Sequence, residues 1–194
     1  MSSLTTTDRL QELLPQLFNS QTLEGDYYLR FQLTDEISGL INLKYVQESL
    51  TIKGDRITAV PNLPEYVVGL MSSRNQVFLA IDLAHLAGLS PETVNLRQYQ
   101  TIVVQTNSAE EDSQSNESKT DGINLFGLTV KKIEGITRML SNRFIPVTEN
   151  IPESLRPFIT SAVRQVNENA TSASEEKYSF LIDITQLICD RIQS

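Results

Sequence analysis

The sequence predicts a mostly β protein made of two small barrels that share one chain. Three observations lead there. Short runs with the period of strands follow one another between turn signals at close spacing, and few stretches are long enough for helices. The second half repeats the first in outline: Phe180-Leu-Ile-Asp-Ile-Thr-Gln-Leu187 echoes Leu79-Ala-Ile-Asp-Leu-Ala-His-Leu86, each reading as a buried strand, an aspartate cap and a short helix. Each copy alone is too small to be stable, so the two should fold together.

The chain bounds what it can be. At 194 residues, 40% hydrophobic and 21% charged, it can bury a core of ordinary globular size. No apolar run reaches the ~18 residues of a membrane span, and the N-terminus lacks a signal-peptide pattern, which predicts a cytoplasmic address without direct membrane insertion. A net charge of −8 argues against nucleic acid, whose binding requires a basic face. The single cysteine, Cys189 in Leu187-Ile-Cys-Asp, reads as a small buried apolar residue.

Taken in order, residues 1–24 read as a helical extension. Leu10, Leu13, Leu14, Leu17 and Phe18 fall on one face, with Thr7 or Asp8 as cap and Pro15 as an interruption. The spacing then becomes that of strands. Tyr27–Leu33 and Ile37–Leu43 flank the polar turn Thr34-Asp-Glu36, giving a hairpin. Lys44–Glu48 continues, and Lys53-Gly-Asp55 turns. Ile57–Val60 reads as a strand stopped by Pro61, and Glu65–Val68 as a short helix with Gly69 at its end. Leu70–Ser73 leads to a tight turn at Arg74-Asn75. Val77–Ile81, apolar throughout, reads as a strand buried on both faces, followed by Asp82 capping a helix over Leu83–Ala87 that Gly88 stops.

Ser90–Arg97 is a linker, and Tyr99–Gln105 and Asn124–Val130 are further strands. Between them residues 107–121 carry no aromatic or branched aliphatic side chain and an excess of acid, which predicts a flexible insertion. Its acids lack the register of a calcium loop. Phe126-Gly-Leu-Thr-Val is set beside Ser38-Gly-Leu-Ile-Asn, and Phe144-Ile-Pro-Val with Pro152-Glu153 beside Ala59-Val-Pro with Pro64-Glu65.

Catalytic candidates are scarce. His85 is the single histidine; it stands one helical turn after Asp82, but the echo carries Gln186 at that place, so a capping aspartate beside a solvated histidine is the better reading. Ser72 and Ser73 lack the glycine framing of a nucleophile elbow, and no glycine-rich loop cradles phosphate. No catalytic residue, metal site or cofactor is expected. A binding surface is, with Arg74 beside its turn as a directed donor for a partner's carboxylate or carbonyls, or else paired with Glu65 or solvated.

Lys44-Tyr-Val-Gln-Glu48, Ile57-Thr-Ala-Val-Pro-Asn-Leu-Pro-Glu-Tyr-Val-Val-Gly-Leu70 with Arg74, and Val77-Phe-Leu-Ala-Ile-Asp-Leu83 together resemble the CheW-like domain of bacterial chemotaxis. The likeness runs from about Tyr27 to Ile192 and is more specific in its first half. It implies two intertwined five-stranded β-barrels of the Src-homology-3 (SH3-like) type, the first over about 25–90 and the second over about 97–192, in one domain over 25–194. It also implies a non-enzymatic adaptor that joins the regulatory domain of a CheA-type histidine kinase to the cytoplasmic tip of a chemoreceptor, recruited to membrane-associated receptor arrays. By the same resemblance Val46, Glu48, Gly69 and Arg74 match positions tied to receptor or kinase coupling.

Departures stand beside the likeness. Asn75 replaces a glycine, Ser72 an asparagine, Lys131 an aspartate and Ser161 a glycine near Phe158-Ile159. With the insertion and the N-terminal helix, they imply a divergent paralogue serving pilus-based or light-directed movement. The competing expectation is a small-molecule or enzymatic role in the cleft between the barrels.

Overall fold

The computed structural model describes residues 25–90, 97–107, 123–147, 151–165 and 177–192. The helical extension over 1–24 and residues 108–121 of the insertion lie outside them. Among the described residues there are ten strands: β1 (Asp26–Gln32), β2 (Ser38–Asn42), β3 (Val46–Lys53), β4 (Val67–Ser73), β5 (Gln76–Asp82), β6 (Gln98–Asn107), β7 (Ile123–Val130), β8 (Lys132–Met139), β9 (Ile159–Arg164) and β10 (Tyr178–Ile182). Two short helices, α1 (Leu83–Leu86) and α2 (Ile184–Ile192), follow β5 and β10. The mostly β class with few helices is therefore as the sequence predicts.

The strands form two five-stranded sheets, in the orders β8-β1-β2-β10-β9 and β3-β6-β7-β5-β4. Pairing β1 with β6, β2 with β7, and so on to β5 with β10, converts one order into the other, so the duplication legible in the sequence is a duplication of architecture. Each sheet takes the hairpin of one half and the last three strands of the other, joined by the parallel pairs β2/β10 and β5/β7. The linear division into 25–90 and 97–192 is consequently not how the strands are shared. Sequence periodicity tells which face of a strand is apolar, but parallel neighbours this far apart in the chain leave no local signal.

The bulges repeat as well. Gln47 in β3 and Glu134 in β8 are skipped in the ladder, as are Val68 in β4 and Thr160 in β9. This register moves one expected echo by a residue. Gly39 faces Phe31 and Phe180, while their counterparts Val104 and Leu79 both face Phe126, so Gly39 corresponds to Phe126 and not to Gly127. A Cβ at Gly39 would lie 2.6 Å from the Phe31 ring, which explains why the larger side chain sits on β1 in one sheet and on β7 in the other.

Alternate residues of the central strands serve two cores. Leu29, Phe31, Ile102 and Val104 meet the helix residues Leu83, Leu86, Leu187 and Ile188 in the core shared by both sheets. On the opposite face, Ile52, Met71, Phe78, Ala80 and Val103 fill the concave side of the second sheet, and Tyr28, Leu40 and Val163 that of the first. The caps are exact counterparts: Asp82 Oδ1 accepts from the His85 backbone N–H and Asp183 Oδ1 from that of Gln186, each at 3.0 Å.

Four local expectations are corrected. Ile57–Val60 is no strand; Thr58 alone bridges to Leu70. Glu65–Val68 is no helix: the Tyr66 carbonyl accepts from Asp82 N–H at 2.8 Å and the Val67 N–H donates to Pro64 in a turn, so the sheet uses the groups a helix would need. Val77 is 70% exposed because β5 runs past the core before the hairpin turn. Cys189 is exposed, since α2 buries Ile184, Leu187 and Ile188 at helical spacing and residue 189 falls off that stripe.

Candidate partner-binding surface

The β4–β5 hairpin closes at Ser73 opposite Gln76, and its two turn residues, Arg74 (φ 46°) and Asn75 (φ 64°), are both left-handed. Two such residues give the turn whose twist matches the strands it joins. Asparagine tolerates this conformation. Arginine is less suited to it, so the fold holds Arg74 at a conformational cost of about 1–2 kcal/mol.

What Arg74 meets is Glu48, not Glu65. Its Nε lies 3.0 Å from Glu48 Oε2, with the arginine side chain 78% exposed and the glutamate side chain 17% exposed. Glu48 is aimed there by the β3 bulge at Gln47, whose side-chain amide donates to Gln105 on β6. The pair joins the two edge strands of the β3-β6-β7-β5-β4 sheet, which curls to bring them together. Because Arg74 is so exposed, the pair adds at most about 1 kcal/mol to stability. Its larger effect is to orient a guanidinium whose other donors point to solvent.

The remaining two candidates are built differently. Val46 pairs with Val104 and is half-buried against the shared core. Gly69 is buried within β4 at φ 151°, where a Cβ would stand 2.5 Å from the Thr58 carbonyl oxygen. Its bareness lets Leu70 and Thr58 exchange two 2.8 Å hydrogen bonds. The structure thus brings Glu48 and Arg74 into contact, and leaves Val46 and Gly69 to shape the strands that carry them.

Val77 is the surface residue that sequence reasoning missed. It stands opposite Ser72 on the same hairpin, an exposed apolar side chain three residues from Arg74. Its position in an unbroken apolar run gave no sign of this.

The Asp82 carboxylate caps the helix through the His85 backbone N–H, and His85 Nε2 lies 4.0 Å from Glu65 Oε2. At the junction of the two sheets a hollow of about 510 Å³ is lined by Lys44, Tyr45, Gln105, Asp183 and Thr185. The Lys44 ammonium lies 4.7 Å over the Tyr45 ring. Among the described residues, no helix is long and apolar enough to cross a membrane.

Comparison with known proteins agrees with this architecture. The model of the CheW-like domain family matches residues 27–190. Among solved structures, that of the scaffolding protein TtCheW from Thermoanaerobacter tengcongensis is similar, with 16% identity over 84% of this chain and 92% of that one and a TM-score of 0.58. No curated protein matches.

Proposed function

This chain belongs to the CheW-like domain family, and from that premise we propose that it is a non-enzymatic adaptor. It couples the regulatory domain of a CheA-type histidine kinase to the cytoplasmic tip of a chemoreceptor, and is recruited through them to membrane-associated arrays. The observation that carries this reading is the Glu48–Arg74 pair: an exposed guanidinium, fixed in direction by a mostly buried carboxylate, on a hairpin anchored in a five-stranded sheet. An oriented polar donor beside an exposed valine is the composition of a small protein interface that moves little on docking. Glu48 and Arg74 touch the partner, and Val46 and Gly69 act through the strands beneath.

Calorimetric titration with a kinase regulatory domain and with a receptor-tip fragment tests the proposal. The wild type should bind both, and Arg74→Glu should lose at least one while keeping its fold. Binding unaffected by that reversal would sink the assigned contact, and binding to neither partner would sink the adaptor role. The divergent hairpin residues Ser72 and Asn75 motivate the assignment to a pilus-based or light-directed system. A deletion strain that loses swimming but keeps twitching and phototaxis would overturn that part alone.

A further inference from the structure

The duplication carries its own control, because each position of one sheet has a counterpart in the other. The registers place Arg30 where the second sheet has Val103, Thr137 where it has Leu50, and Ser179 where it has Phe78. In the second sheet, buried Phe78 and Val103, with Leu50 against them, fill the concave face. In the first, the exchange of these apolar residues for polar ones opens a hollow of about 400 Å³. Four arginines line it, Arg30, Arg138, Arg143 and Arg164, and no carboxylate does among the described residues.

That concentration of permanent positive charge occurs on a chain with net charge −8. The hollow is held in shape. Arg30 Nε lies 2.6 Å from Glu134 Oε2, supplied by the β8 bulge, and buried Ser179 accepts a 2.8 Å hydrogen bond from the Gln165 side chain. Arg138 and Arg164 are engaged by neighbours too. A guanidinium has five N–H donors, so the Arg30–Glu134 contact leaves others of Arg30 for a ligand. Met139 and Val163 add apolar wall.

We propose that this hollow binds a small phosphate-bearing molecule, its phosphates on the arginine forks and its organic part against Met139 and Val163. Guanidinium groups match phosphate oxygens in pairs, and the volume lies within the usual range for small-ligand sites. The site is separate from the Glu48–Arg74 surface and from the hollow at the sheet junction.

Isothermal titration of the full chain with inorganic pyrophosphate, ADP and citrate at low salt is the test. Pyrophosphate should bind, and ADP more tightly. Arg143→Ala and Arg138→Lys should each weaken both by about tenfold, the loss expected for a charged hydrogen-bonding group. Arg56→Ala, at the counterpart of Arg143, should change them by less than about twofold, as a remote surface charge does. Absence of binding at millimolar pyrophosphate would overturn the proposal. So would affinity that survives both pocket variants, an equal loss in Arg56→Ala, or citrate binding as tightly as pyrophosphate.

Discussion

Arg74 and Glu48 lie at opposite edges of one five-stranded sheet and meet, Nε to Oε2, at 3.0 Å. The contact exists because the sheet curls, and it marks where the fold turns a flexible cation into a fixed one. Arg74→Glu puts two carboxylates together at a mostly exposed site. Stability should fall by about 1 kcal/mol, the worth of the lost pair, while affinity for the kinase or receptor fragment falls about tenfold or more. Exchanging the charges, Glu48→Arg with Arg74→Glu, should restore the pair but not the binding. Recovered affinity in that double variant would mean that the partner reads the pair's rigidity and not the guanidinium.

Gly69 and Gly135 both have positive φ, at 151° and 129°, but only Gly69 is crowded. An added Cβ meets the Thr58 carbonyl oxygen at 2.5 Å in one case and nothing within 4 Å in the other. Gly135→Ala should therefore cost about 1 kcal/mol, from backbone strain alone. Gly69→Ala should cost about 2–3 kcal/mol, from strain plus overpacking. Urea unfolding of the two variants would measure the difference, and equal losses would show that β4 can move away from Thr58.

The two aspartate caps offer a test of the duplication. Asp183→Ala should destabilise the protein by about 1 kcal/mol, the ordinary cost of a lost cap. Asp82→Ala should cost more, because Asp82 is 3% exposed whereas Asp183 is half-buried. Chemical unfolding at neutral pH decides it. A larger loss at Asp183 would place the weaker cap in the first half.

Burial, and then the nearby Asp26 carboxylate, push the Tyr28 hydroxyl's pKa above its ordinary value near 10. The unfolded chain thus gives up this proton first as pH rises. The contribution to stability is complete below about pH 10 and is lost as pH climbs through the folded value. Wild-type stability should fall more steeply above about pH 10 than that of Tyr28→Phe. Parallel alkaline slopes in urea titrations would remove Tyr28 as the cause.

Much of the fold was legible because it is local. Thr34 closes the first hairpin with its own hydroxyl, which accepts from the Ile37 N–H at 3.1 Å; Asp82 and Asp183 cap the residues just after them; Arg74-Asn75 makes its turn within four residues. Hydrogen bonds this short in sequence follow from residue type and spacing, and the echo between the halves appears for the same reason. Arg74 could be singled out from its turn. Its partner could not, because Glu48 lies 26 residues earlier on a strand that only the curl of the sheet brings near.

By itself, then, the chain of residues determined the class, the strands flanking the Thr34 and Arg74-Asn75 turns, the caps and the existence of two copies. Tertiary structure alone decided that the copies exchange hairpins, that Val77 and Cys189 face solvent within apolar runs, and that arginines surround a hollow where the other copy is filled. The reason is physical: backbone conformation answers to near neighbours, whereas burial, charge proximity and cavity shape depend on which distant strand packs alongside.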